Sequence, residues 1–247
     1  MTDRLKHPHT QRDTDDRKLL MQQPFADPSF LESDAWRALR IMSEFIEGFD
    51  VMARLGPAVT IFGSARTKPE DPMYRHACDL AARLSDHGFT VITGGGPGIM
   101  EAANKGAKEA DGVSVGLGID LPHETGLNPY VDLPAYFRYF FVRKTMFIKY
   151  AQAFVIFPGG FGTFDELFES LTLVQTERID RFPIILFDSE YWTGLLDWLS
   201  SEVVQRGNVS KVDLRLLHVS DDIDEIVAIV AEAHRLRGEN GSDPEEA

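Results

Sequence analysis

The chain contains one cysteine, Cys78, which rules out an intramolecular disulfide and a cysteine-rich zinc site. Packing within a helix is the role expected of it. Basic residues are also in deficit: 25 Lys and Arg stand against 39 Asp and Glu, a formal net charge of -14. That balance argues against a nucleic acid or an anionic membrane as the main partner, although a local basic pocket remains compatible with it. No apolar run is long enough to span a bilayer, and the first twenty residues are polar rather than signal-like, so a cytoplasmic protein is expected. There is no H-E-x-x-H or other closely spaced ligand group, and His123 with Glu124 is an isolated loop pair. No metal is expected. With 43% hydrophobic and 26% charged residues, the 247-residue chain has enough material for one globular domain with a sizeable core.

The chain reads as an arm, an added helix and a repeating α/β pattern. Residues 1–28 are charged and proline-bearing with little periodicity, as in a flexible arm. Within 29–56, Ser33 or Asp34 can cap a helix running towards Leu55, with Trp36, Leu39, Ile41, Phe45, Ile46, Phe49 and Met52 as a broad apolar face. Strands are predicted over 58–62, 90–93, 113–117, 154–157, 183–187 and 216–219. Helices are predicted over 72–86, from 98 through Ala110, from about Pro134 to Tyr150, from Gly162 onward, over 191–205 and over 223–236. The tail, 238–247, is polar and expected to be disordered. Strands that alternate with helices and are apolar on both faces predict a Rossmann-like open parallel sheet across 57–237, with helices on both sides.

In such sheets ligands bind at the carboxyl ends of strands. Three glycine-bearing loops fall at such ends, each running into a helix: Gly63-Ser64-Ala65-Arg66, Gly94-Gly95-Gly96-Pro97-Gly98 and Pro158-Gly159-Gly160-Phe161-Gly162-Thr163. The first N–H groups of a helix have no intrahelical partner and, with the helix dipole, favour an anion. A nucleotide-sized, phosphate-binding pocket is therefore expected. Glu166 has two readings. It is either a carboxylate one turn inside a phosphate-binding helix, or the distal half of a capping box begun by Thr163. Arg143 likewise reads from its residue type as a solvated helix charge.

The glycine loops fit two common nucleotide motifs poorly. The run at 94–98 does not match G-x-G-x-x-G, follows the second strand and has no acidic residue ending the next one. It also lacks the lysine and hydroxyl of a P-loop. Nothing marks Lys144 or Lys149 as a Schiff-base lysine.

The run Pro158-Gly159-Gly160-Phe161-Gly162-Thr163-Phe164-Asp165-Glu166 matches P-G-G-x-G-T-x-x-E. Its companion, Gly94-Gly95-Gly96-Pro97-Gly98-Ile99-Met100-Glu101, resembles G-G-G-x-x-G-x-M but is one residue shorter before the last glycine. Together they resemble the Lonely Guy family of cytokinin-activating phosphoribohydrolases, also labelled possible lysine decarboxylases, over roughly residues 58–207. The arm and added helix suggest a longer bacterial-type member.

The resemblance implies hydrolysis of the N-glycosidic bond of an AMP-type nucleotide, without a cofactor, by a homodimer or higher homo-oligomer. It implies Arg143 and Glu166 as the catalytic pair, with Phe140 standing where the family often has methionine in M-x-x-R-K. It further implies substrate contacts from Gly63, Ser64, Arg66, Gly94, Gly95, Gly96, Gly98, Met100, Lys144, Gly159, Gly160, Gly162 and Thr163. Phe137, Phe140, Phe141, Phe147 and Ile148 suit either a subunit interface or ordinary core packing. Molybdenum-cofactor carrier proteins resemble the same fold and loops but bind without hydrolysis, which is the alternative function.

Overall fold

Short runs of β-branched and aromatic residues with no polar alternation bury both faces, and here they pair into one parallel sheet. The structure is a computed structural model and describes residues 28–120 and 126–240. The expected flexible arm, the His123–Glu124 pair and residues 241–247 lie outside these. In chain order the elements are α1 (Pro28–Met52), β1 (Ala58–Phe62), α2 (Pro72–Asp86), β2 (Thr90–Thr93), α3 (Ile99–Glu109), β3 (Ser114–Ile119) and β4 (Leu133–Phe137). They continue with α4 (Phe140–Tyr150), β5 (Ala151–Ile156), α5 (Phe161–Gln175), β6 (Ile184–Leu186), α6 (Ser189–Trp198), β7 (Leu217–Val219) and α7 (Ile223–Asn240). A π-helical segment, Leu199–Val204, extends α6.

The sheet order is β4-β3-β2-β1-β5-β6-β7, and every neighbouring pair is parallel. The chain builds outward from β1 to β4, then returns to place β5 on the other side of β1. This reversal opens a crevice between the carboxyl ends of β1 and β5, where such sheets bind ligands. One apolar layer, with Phe62, Phe147, Phe154 and Trp192, lies under α1, α4, α5 and α6. The other, with Leu80, Ile99, Val155 and Val230, lies under α2, α3 and α7. The predicted Rossmann-like sheet is thus the observed one, with a seventh strand added.

That strand corrects the expected helix from Pro134. Residues 133–137 alternate, with Ala135 and Phe137 buried and Pro134 and Tyr136 exposed, which is the period of a strand. Proline is tolerated there because β4 is an edge strand, where a missing N–H costs no ladder bond. Helix α4 starts only at Phe140. Two boundaries also move. Helix α1 begins at Pro28, ahead of the proposed Ser33 or Asp34 cap, and α7 continues through residues 238–240, which were read as tail.

Helix α1 lies over β4 and α4 and is fixed to them by a buried carboxylate. Glu44 is buried, and its Oε2 accepts from the backbone N–H of Arg138 at 3.0 Å and of Tyr139 at 3.3 Å. Tyr139 is the N-cap residue of α4 and offers no side-chain cap of its own. Glu44 therefore satisfies N–H groups at a helix start that would otherwise be stranded, and its negative charge suits the positive end of the helix dipole. Replacing Glu44 with Ala should lower unfolding free energy by about 1–3 kcal/mol, read as a fall in the urea midpoint with little change in slope. An unchanged midpoint would mean that α1 is not anchored through this residue.

Candidate active site

The three glycine loops converge on the crevice, and the loop after β1 ties them together. The Ser64 N–H donates to the Pro158 carbonyl at 3.0 Å, and the Ser64 carbonyl accepts from the Ile99 N–H, also at 3.0 Å. One residue thus links the second loop, the start of α3 and the Pro158–Thr163 loop. Gly98 has φ +70, and a Cβ there would collide with the Ser64 carbonyl, so both the turn and the close approach require glycine. Ser64 Oγ accepts from the Arg66 N–H at 3.0 Å, while Arg66 itself is exposed at the rim.

The triple-glycine run is held by a buried polar network. Thr93 Oγ1 accepts from the Gly95 N–H at 2.9 Å and donates to Asn104 Oδ1 at 2.6 Å. Asn104 Nδ2 in turn donates to Ser114 Oγ at 2.8 Å. Asn128, arriving from the loop after β3, donates to the carbonyls of Gly95 and Gly96, both at 3.1 Å, and to Asn104 Oδ1 at 2.9 Å. Amides can supply donors and acceptors together, so this cluster fixes the carbonyls of Gly95 and Gly96 while leaving few polar atoms unpaired. Met100 lies against Gly94 and Gly96.

The third loop removes the capping-box reading of Glu166. Helix α5 starts at Phe161 with Gly160 as N-cap and no side-chain cap bond. Thr163 is therefore inside the first turn, and Glu166 is not paired with it in a capping box. Thr163 is buried, with its side chain where a Cβ of Gly159 would stand. The Tyr191 hydroxyl donates to the Gly159 carbonyl at 2.7 Å and braces the loop. Nothing lies within 4 Å of a Cβ built on Gly160 or Gly162, so a ligand can approach the N-terminus of α5 closely, where an anion is favoured.

Glu166 is only 8% exposed, and its Oε2 finds no hydrogen-bond partner among the described residues. Burial raises its pKa to about 7 from an ordinary 4.5, partly offset by the cations of Lys144 and Arg143 and reinforced by Glu169 and Asp165. Arg143 comes from α4 and is held in place: its Nε donates to the Leu117 carbonyl at 2.7 Å, and an Nη makes a longer contact with the Gly94 carbonyl at 3.4 Å. Its guanidinium carbon lies 5.1 Å from the centre of the Phe147 ring. Arg143 is thus a packed, oriented group rather than a solvated charge.

Lys144 is placed differently from a free ligand-binding cation. Its Nζ is 2.8 Å from Asp165 and 2.8 Å from Glu169. Burial pulls its pKa down, but these two carboxylates outweigh that and raise it. The ammonium is held by these two carboxylates of α5 and acts electrostatically on Glu166. Among the described residues no His, Cys, Asp and Glu group could hold a metal, and no helix is long and apolar enough to cross a membrane.

A cavity of about 450 Å³ opens to one side of this cluster. Its wall includes Gly94 and Gly96, so it adjoins the Arg143 contact, but neither Glu166 nor the Pro158–Thr163 loop lines it. Helix α1 and strand β4 form its far wall, through Glu47 and Tyr136 among others. Residue types alone could not find Asn104, Asn128, Tyr191 or the α1 wall. The contacts of Asn128 and Tyr191 span 24 to 33 positions, Asn104 is recognisable only through its place in that network, and the α1 wall belongs to an element outside the α/β repeat.

Comparison with known proteins identifies the family and the fold. A family model described as possible lysine decarboxylase matches residues 100–230, more than half of the chain and inclusive of Arg143 and Glu166. The chain is 29% identical over 170 residues to a cytokinin riboside 5'-monophosphate phosphoribohydrolase of Mycobacterium marinum, covering 68% of this chain and 89% of that one. It is 27% identical to a probable enzyme of the same name from Oryza sativa subsp. japonica, over 72% and 79% of the two chains. In three dimensions it resembles the molybdenum cofactor carrier protein of Chlamydomonas reinhardtii, with a TM-score of 0.53 at 24% identity over 72% and 98% of the chains. That last likeness is one of fold.

The buried carboxylate has a consequence for stability. Because its folded pKa of about 7 exceeds the ordinary 4.5, the native state binds the proton more tightly than the unfolded chain. The resulting stability is complete below pH 4.5 and is lost as pH rises through 7. Glu166→Gln keeps the shape without the charge. The variant should therefore gain on the wild type between pH 5 and pH 8, by up to about 3 kcal/mol. Parallel melting curves at the two pH values check this. A difference independent of pH would place the pKa in the ordinary range.

Proposed function

Because the chain belongs to the Lonely Guy family, whose domain carries the description possible lysine decarboxylase, we propose that it is a nucleoside 5'-monophosphate phosphoribohydrolase. It hydrolyses the N-glycosidic bond of AMP or an N6-modified AMP to free base and ribose 5-phosphate. The observation that most supports this reading is Glu166: a buried carboxylate with an oxygen that lacks a partner, beside an anchored arginine, at the head of a helix whose glycines are open to a ligand.

Cleavage of the C1'–N9 bond builds positive charge on the ribose, as in glycoside hydrolysis. A carboxylate beside C1' stabilises that charge and takes a proton from the attacking water as the C1'–O bond forms. The bonding electrons leave with the purine, which takes up a proton. A pKa near 7 lets one carboxyl both accept and return a proton at neutral pH. The 5'-phosphate sits at the N-termini of α3 and α5, on backbone N–H groups. Arg143, fixed by the Leu117 carbonyl, holds ribose or phosphate oxygens so that C1' faces Glu166. Lys144 bridges Asp165 and Glu169 and contributes positive charge near Glu166. No cofactor enters this chemistry.

The exposed Phe161, Phe141 and Phe168 flank the same face. A second copy of the chain covering them fits a homodimer with sites near its interface.

The carrier proteins supply the alternative, tight binding with no cleavage, and turnover separates the two. Glu166→Gln should reduce base release by roughly 10²–10⁴ while AMP still binds. AMP bound unaltered by a wild-type protein that releases no base would favour the carrier function. Arg143→Ala should impair both KM and kcat, and Arg143→Lys should recover only part of the loss, since lysine lacks the planar fork. Adenosine should be a poor substrate, because it brings no anion to the glycine loops. Turnover of adenosine equal to that of AMP would contradict the phosphate assignment.

A further inference from the structure

We propose that the cavity between α1 and β4 is the pocket for the departing base, and that Glu47 on α1 and Asp120 after β3 read that base as an amino-bearing heterocycle. This rests on the phosphoribohydrolase reading. It adds a role for the N-terminal helix, as a wall of the substrate site.

Position is the first argument. The phosphate-binding helix starts follow β2 and β5, whereas the cavity lies over the ends of β2, β3 and β4. Neighbouring strands are about 4.8 Å apart, so a nucleotide laid across these ends extends from the phosphate loops past Arg143 into the cavity. Gly94 belongs to both regions. Its carbonyl is in contact with Arg143, and it lines the cavity.

Shape is the second. Gly118 lines the cavity together with Leu127 and Tyr136, and having no side chain it lets these two pack close over its backbone, since a Cβ there would stand 3.0 Å from Leu127 and 3.2 Å from the Tyr136 ring. The cavity is therefore bounded on this side by the apolar Leu127 and the Tyr136 ring. Tyr136 is 63% exposed, although it sits on a strand whose alternate residues are buried. A ring in that setting offers a face for a planar base.

Charge is the third. The wall carries carboxylates Glu44, Glu47 and Asp120 and cations Arg40 and Arg138. Glu44 is occupied by the start of α4 and faces Arg138 at 3.9 Å. The balance left by Glu47, Asp120 and Arg40 is acidic. Ionised carboxylates only accept hydrogen bonds, so an exocyclic amino group is welcomed and a keto oxygen in the same place is repelled. The same acidity favours a protonated purine, which is the better leaving group. Ser43 donates to Glu47 Oε1 at 3.3 Å and steadies its carboxylate.

The test compares the wild type, Glu47→Gln, Asp120→Asn and Tyr136→Ala in base release from AMP and IMP, with ribose 5-phosphate as an inhibitor that lacks the base. The wild type should prefer AMP. Each carboxylate variant should lose about tenfold or more of kcat/KM for AMP and move the AMP-to-IMP ratio towards one. Tyr136→Ala should weaken both substrates alike. Inhibition by ribose 5-phosphate should be unchanged in all three. An AMP-to-IMP ratio unaltered in both carboxylate variants would overturn the assignment. So would a parallel loss of ribose 5-phosphate binding, which would mark the residues as merely structural. If the wild type releases no base, the enzymatic reading fails. Equilibrium binding of AMP and ribose 5-phosphate to the same proteins then decides the pocket, which stands only if the variants weaken AMP alone.

Discussion

A carboxylate held out of water without a full set of partners is the constraint on which this structure turns. Glu166 could relieve its burial by accepting a backbone N–H or a close cation, as most buried carboxylates do. Here Lys144, the nearest ammonium, is occupied by Asp165 and Glu169, and Arg143 is fixed on the Leu117 carbonyl. The cations stabilise the charge from a distance but do not quench it. The pKa of about 7 expresses that compromise. Groups tuned in this way concentrate at functional sites, where a proton must be both taken and returned.

Such an arrangement holds only if the backbone around it is rigid. Ser64 links three loops through two backbone bonds, the Thr93–Asn104–Asn128 network fixes the triple-glycine run, and Tyr191 braces Gly159. Glu44 adds a clamp from outside the α/β repeat, holding the start of the helix that carries Arg143. The added helix is thus coupled to the arginine and, through the cavity wall, to whatever occupies the far end of the site.

Much of the fold was legible because the physics is local. Buried β-branched runs mark β1, β2 and β5, and Asp71-Pro72, an N-cap followed by proline at the first helical position, sets the start of α2. The glycine loops were legible through motifs, and the family resemblance singled out Arg143 and Glu166, which the fold brings within electrostatic reach of each other. Strand β4 was not, because Pro134 and the aromatics that follow it blend into the helical spacing of α4, and only its edge position in the sheet makes proline acceptable. The role of Glu166 could not be separated from capping until the first residue of α5 was known. A start at Phe161 removes Thr163 from the cap. Lys144 was expected to contact substrate, and its two acidic partners lie 21 and 25 positions further on, beyond any local pattern.

The most direct test is the pH profile of kcat for base release from AMP, from pH 5 to pH 9. With Glu166 acting as the base, kcat should rise through an inflection near pH 7, well above the ordinary range of a glutamate. A profile that is flat across neutrality, or the absence of free base at every pH, would contradict the account.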